Sequence, residues 1–195
     1  RHSFPTRRSS DLLAILRLLL DHGADPIGAG DHHELEVVGW ACCFGNGTRE
    51  IVDLLLKKGA VHNIFSAVSV GALGDIHLLV AKDRAQLERR MDLANQRRRP
   101  LHLAVFKNRP DSLDTLLQLG ADCESLDEAG LTALDVAALR SENAMAERLL
   151  SHGANVRLPA AVALERKADI TRLLRQDPDC LKPGNRWGTL IIRAA

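Results

Sequence analysis

Aromatic residues make up 3% of this 195-residue chain, and tyrosine is absent altogether. So few rings argue against a conventional aromatic core and against a stacking platform for sugars or single-stranded nucleic acid. Long apolar runs are missing too. The longest candidate, Leu12–Leu20, contains Arg17 and falls short of the roughly 20 residues a membrane span needs. Neither charge sign dominates: 26 Lys and Arg face 25 Asp and Glu, a formal net charge of +1. Bulk electrostatics therefore offers no case for a nucleic-acid or membrane partner. The cysteines, Cys42, Cys43, Cys123 and Cys180, show no paired framework. Cys42 and Cys43 are read as buried reduced thiols, and with no secretory signal visible the cytoplasm is the expected compartment.

Catalytic signatures are equally scarce. There is no Walker loop, no Gly-x-Ser-x-Gly elbow and no His-Glu-x-x-His helix. Gly28-Ala29-Gly30 follows no strand and lacks the third glycine of a dinucleotide fingerprint. Asp31-His32-His33-Glu34 sets metal-capable side chains side by side, without the spacing of a zinc site. The expectation is a chain with no enzymatic activity of its own, no cofactor and no bound metal.

What the sequence does contain is a returning Gly-Ala step after a leucine pair: Leu19-Leu20 before Gly23-Ala24, Leu55-Leu56 before Gly59-Ala60, Leu116-Leu117 before Gly120-Ala121, and Leu149-Leu150 before Gly153-Ala154. Gly120 and Gly153 are 33 residues apart, and Gly59 to Gly120 leaves room for two units. A period near 33 with two short helices per unit indicates a stacked helical array. The leucine pairs form the apolar face of each second helix, and the glycine suits a left-handed helix end. Leu101 and Leu134 anchor the first helices, while Ala104, Ala137 and Ala138 let neighbouring helices approach closely. No unit can bury its leucines alone, so stability comes from stacking.

Two segments carry a family resemblance. Arg99-Pro100-Leu101-His102-Leu103-Ala104 resembles the ankyrin Thr-Pro-Leu-His-x-Ala motif, and Gly130-Leu131-Thr132-Ala133-Leu134-Asp135-Val136-Ala137-Ala138 resembles the same segment one unit later. The resemblance implies an all-α repeat solenoid of helix-turn-helix units, some preceded by β-hairpin fingers, that binds another protein. In that motif His102 has a structural hydrogen-bonding role, and Arg99 stands where the motif has threonine.

Two units depart from the pattern in the same way. Ala67-Val68 aligns with Ala161-Val162, Asp75-Ile76 with Asp169-Ile170, and Asp83 with Asp177, all at an offset of 94. Fingers are expected at Asp25–Leu35, about Met91–Arg99 and Asp122–Leu131. Gly59–Ile64 and Gly153–Pro159 are too short for one. A three-unit super-repeat follows, in which every third finger is missing.

Residues 2–12 share nothing with the repeats and resemble the translation of a common short-read sequencing adapter. Residues 1–11 are expected to be a non-native or disordered leader. Residues 12–195 are expected to form an array truncated at both ends. It opens inside a second helix, Leu13–Asp21, and stops at Asn185–Ala195, which resembles the start of another unit.

The expected interaction surface is the finger side together with the exposed ends of the first helices: Arg97, Arg98, Asn108, Arg109, Glu128, Leu131, Ser141 and Glu142, with Trp40 as a further candidate. The partner is expected to be a protein, with an acidic surface if the basic run Arg97-Arg98-Arg99 takes part. The chain itself is expected to be monomeric. An alternative assigns the array to the regulatory or targeting segment of a multidomain enzyme.

Overall fold

A computed structural model describes residues 9–28, 35–43, 49–91 and 97–181. The described part divides into two compact units, Arg1–Arg84 and Ala85–Ala195. The first holds α1 (Ser9–Asp21), α2 (Glu36–Cys43), α3 (Arg49–Lys57), α4 (Ile64–Val70) and α5 (Leu73–Lys82). A 3-10 turn, Arg84–Glu88, follows. The second holds α6 (Pro100–Phe106), α7 (Pro110–Gln118), α8 (Ala133–Leu139), α9 (Asn143–Ser151), α10 (Leu158–Ala163) and α11 (Lys167–Gln176).

Within the first unit α2 pairs with α3 and α4 with α5, α2 packs on α4, and α1 packs on α3. Within the second, α6–α7, α8–α9 and α10–α11 form pairs. The first helices pack in the row α6, α8, α10, and α7 lies on α9. This is the stacking the leucine spacing implied. Leu101, Leu113, Leu116, Leu134, Met145 and Leu149 are fully buried between the layers, and Ala104, Ala137, Ala160 and Ala161 sit at the close approaches.

The second helices end as the glycines require. Gly23, Gly59, Gly120 and Gly153 have φ of 89°, 103°, 89° and 88°. In each case the following alanine N–H donates to the carbonyl five residues back, Leu19, Leu55, Leu116 or Leu149, at 2.9–3.1 Å. These are Schellman closures, which satisfy carbonyls a helix end leaves unpaired. Asp83 and Asp177 end their helices differently, with φ of −150° and −134°. Neither φ is positive, so neither position needs a glycine. The 94-residue offset also holds for whole helices: α3 with α9 and α5 with α11 match at both ends.

Among the described residues there is no β-strand. The connection Asp122–Leu131, expected to be a β-hairpin, closes as a turn: Asp127 N–H donates to the Leu131 carbonyl at 3.0 Å and Gly130 N–H to the Asp127 carbonyl at 3.1 Å. Leu131 N–H also donates to Asp127 Oδ1 at 2.9 Å. No strand extends from this turn among the described residues. The other two expected fingers run through 29–34 and 92–96, outside the described residues, although Met91 N–H meets the Arg98 carbonyl at 2.9 Å. The connections before α4 and α10 pass directly from one unit to the next. Helix α1 begins at Ser9; residues 1–8 lie outside the described residues.

Candidate interaction surface

Four helix-to-helix turns share one geometry. Gly71, Asn108, Ser141 and Glu165 have φ of 75°, 49°, 58° and 54°. The next residue, Ala72, Arg109, Glu142 or Arg166, donates its N–H to the carbonyl five residues back at 2.9 Å in every case. Sterics therefore fix where these side chains leave the backbone. Asn108, Arg109 and Ser141 are exposed and Glu142 is half-buried, so the sequence-based candidates fall on successive turns of the second unit.

The arginine run is split three ways. Arg97 is exposed, in the left-handed region at φ 45°. Arg98 is half-buried with its guanidinium 4.1 Å from the Phe106 ring centroid. Burial holds the Arg98 pKa below its usual value; Asp127 opposes this and Arg140 adds to it. Arg99 turns the other way and pairs with Glu88, donating to both its carboxylate and, at 3.0 Å, its backbone carbonyl. Glu88 also accepts from Ser125 Oγ at 2.6 Å and from Asp122 N–H at 3.1 Å. It ties the 3-10 turn to two later connections. Arg98, a sequence-based candidate, and Arg99 are thus engaged within the chain, and within the run Arg97 alone is exposed.

A second guanidinium reaches the same ring: Arg140 lies 4.6 Å from the Phe106 centroid and is exposed. Arg140 is the C-cap residue of α8, where a cation complements the helix dipole. Glu88, Phe106 and Arg140 were not among the residues read from the sequence. The available signal was a spacing of one period plus one residue. Arg140 follows Phe106 at that distance, as Arg148 follows its ion-pair partner Asp114.

The interior polar residues serve the stack. His102 is fully buried and its Nε2 donates to the Leu131 carbonyl at 3.0 Å. That fixes the proton on Nε2. Nδ1 has no hydrogen-bond partner among the described residues, the consequence of arginine in the threonine slot. One unit on, Asp135 fills the histidine position. Its Oδ1 accepts from Ala160 N–H at 3.2 Å, and its Oδ2 from Thr132 N–H at 3.1 Å and Arg157 Nη1 at 3.3 Å. Leu131, expected on the surface, is instead buried because its backbone is held by both His102 and Asp127.

Of the remaining candidates, Glu128 is exposed at the tip of the Asp127–Gly130 turn. Trp40 is 41% exposed on α2, in the first unit. The other eight candidates belong to the second unit, where Arg98, through Phe106, is brought beside Arg140. Cys42, Cys43 and Cys180 are buried, Cys123 is half-buried, and none is in a disulfide. Among the described residues no group of three or more side chains suits a metal ion. No helix there is long and apolar enough to cross a membrane. The family model for ankyrin repeats (3 copies) matches residues 64–160.

Proposed function

The chain belongs to the ankyrin repeat family through residues 64–160, whose repeats are protein-interaction modules, and from that premise we propose that it binds another protein through the turn edge of the second unit. The observation that carries this reading is the repetition of one exposed turn geometry at Asn108 and Ser141. A row of side chains on fixed backbone, repeated at a constant interval, loses little entropy when a partner covers it. The contact residues are Arg97, Asn108, Arg109, Glu128, Ser141 and Glu142, with Trp40 contributing from α2 if the partner extends that far. The partner presents an acidic surface to Arg97 and Arg109, whose guanidiniums suit carboxylates. The binding is non-catalytic, and the protein acts as a cytoplasmic monomer.

A photo-crosslinking amino acid at position 108 or 141, compared with one at exposed Leu78 on α5, tests this reading. The expected result is one protein captured from positions 108 and 141 but not from 78, which then binds the purified chain and binds Arg97→Glu more weakly. Equal capture from all three positions, or a captured protein that ignores the substitution, overturns it.

A further inference from the structure

We propose that the groove between α9 and the α10–α11 turn takes an arginine side chain from a basic segment of the protein partner. The proposal rests on the protein-binding reading above and adds to it a contact of opposite charge. The groove holds about 410 Å³. Asn143, Ala146, Glu147 and Leu150 line one wall, a spacing that sets all four on one face of α9. Ala163 at the end of α10, then Leu164 and Glu165 in the turn, line the other. On its opposite side α9 lies on α7, whereas α11 packs on α10 and buries none of its residues. Ala146 is buried, Leu150 and Leu164 are half-buried, and Glu147 and Glu165 are exposed. The groove is therefore apolar at depth and acidic at its mouth.

The array itself shows what this position takes. Asp114 and Glu147 each lie six residues after a turn residue of left-handed φ, Asn108 and Ser141. Asp114 is paired with Arg148 of the next helix pair. The counterpart of Arg148 in the last pair is Arg172, seven residues after Glu165 as Arg148 is seven after Ser141. Arg172 instead bonds Asp169 on its own helix at 2.8 Å. Glu147 is thus left without the guanidinium that Asp114 has, and neither it nor Glu165 makes an ion pair among the described residues. Arg148 and Arg166, beside the two glutamates in sequence, are held by Asp114 and Asp169; Lys167 is exposed and makes no ion pair among the described residues.

An arginine from outside supplies what is missing. Its hydrocarbon stem lies along Ala146, Leu150 and Leu164. Its planar head bonds one carboxylate through two N–H groups, with donors to spare for the second. Lysine offers a compact charge without that fork. A side chain with an apolar stem is favoured over a bare divalent cation, which needs six or more oxygen ligands, because among the described residues no group of three or more metal-capable side chains gathers.

The test uses the full chain and a blocked Gly-Arg-Gly tripeptide, followed through the methyl resonances of Leu150 and Leu164. Tripeptides with lysine or norleucine in the middle serve as comparison probes. The two leucine signals are expected to move and saturate with the arginine peptide, to move less with lysine and to stay in place with norleucine. Those of Leu113, fully buried in α7, should stay in place throughout. Glu147→Gln and Glu165→Gln should each weaken the arginine peptide by about threefold, the scale of one exposed ion pair. Asp111→Asn, which removes an exposed charge from α7, should leave it unchanged. Thermal melts confirm that each variant is folded. Equal binding of the norleucine peptide, or wild-type affinity in Glu147→Gln, would overturn the groove. So would self-association of the chain that Glu147→Gln abolishes, which puts a second copy in the groove. A crosslinked protein partner that binds Glu147→Gln as tightly as wild type removes the groove and leaves the protein-binding reading standing. Loss of position-specific crosslinking removes the latter.

Discussion

Asn63 and Arg157, 94 residues apart, make the same backward stitch. Asn63 Nδ2 donates to the Leu35 carbonyl at 2.6 Å, and Arg157 Nη1 donates to the Gly130 carbonyl at 3.1 Å. Each is the N-cap residue of the first helix in a unit reached by a short connection. With no long loop to hold the preceding unit, a side chain does so. The chemistry then diverges. Asn63 also caps its own helix in a box with Ser66, whereas Arg157 makes no cap bond and pairs with Asp135.

Asp135 gives the first prediction. Burial pushes its carboxyl above the usual carboxylate range, outweighing the bonds from Thr132 and Ala160 and the charge of Arg157. A carboxyl raised on folding contributes stability that is complete below its ordinary value of about 3.9 and is lost as pH rises through the raised value. The stability advantage of wild type over Asp135→Asn should therefore shrink as pH rises through that window, measured by urea unfolding at a series of pH values. Asp135→Ala, which strands two buried N–H groups and Arg157, should cost about 2–3 kcal/mol at neutral pH.

His102 carries the opposite sign. Burial holds its pKa below the usual histidine value, opposed by the Leu131 bond and Asp127 and assisted by Arg99 and Arg98. A depressed histidine contributes stability that is present above its ordinary value of about 6.5 and is lost as pH falls through the folded value. Denaturation midpoints should drop between about pH 7 and pH 5. His102→Gln, whose Nε2 can still reach Leu131, should flatten that slope. Part of it should persist from His62, which burial also lowers.

The shared turn geometry predicts a stabilisation. Ser141 and Glu165 occupy the left-handed region at φ 58° and 54°, a conformation that costs an ordinary L-residue about 1–2 kcal/mol. Ser141→Gly and Glu165→Gly should each raise stability by roughly 1 kcal/mol after glycine's greater unfolded-state entropy is subtracted. Asn108→Gly should gain less, since asparagine tolerates this region. Gly71→Ala should lose about 1 kcal/mol, a purely backbone cost, because an added Cβ there meets nothing within 4 Å. Chemical denaturation of the four variants checks the order.

Arg97 and Arg98 should separate cleanly. Arg97→Glu changes an exposed side chain and should alter stability by no more than about 0.5 kcal/mol. Arg98→Glu removes a guanidinium packed on Phe106 and places a carboxylate near Asp127, so it should cost about 1–2 kcal/mol. Thermal melts of the two single variants measure this.

The helix pairs were legible because each depends on local chemistry: leucine pairs at helical spacing, a glycine where the chain must turn left-handed, and aspartate where it need not, as at Asp83 and Asp177. Of the expected hairpin at Asp122–Leu131 only the turn is present: backbone bonds close around Asp127, Gly130 and Leu131, and no strand extends them among the described residues. The turn positions were legible, but their side-chain contacts were not. Asn108, Arg109 and Ser141 follow from the repeat register alone. That Arg98 folds back onto Phe106, or that Glu88 takes Arg99, depends on contacts between connections and helices that no local pattern encodes.

Helix α11 has the same length and offset as α5, yet none of its residues is buried, whereas α5 buries Ile76 and Val80. Its Ile170, Leu173 and Leu174 are only half-covered. The amides of α11 should therefore exchange with solvent through small local openings, at free energies well below those of α7 and α9, whose leucines lock the middle of the second unit. Local opening of that unit would therefore be expected at α11 before α7 or α9.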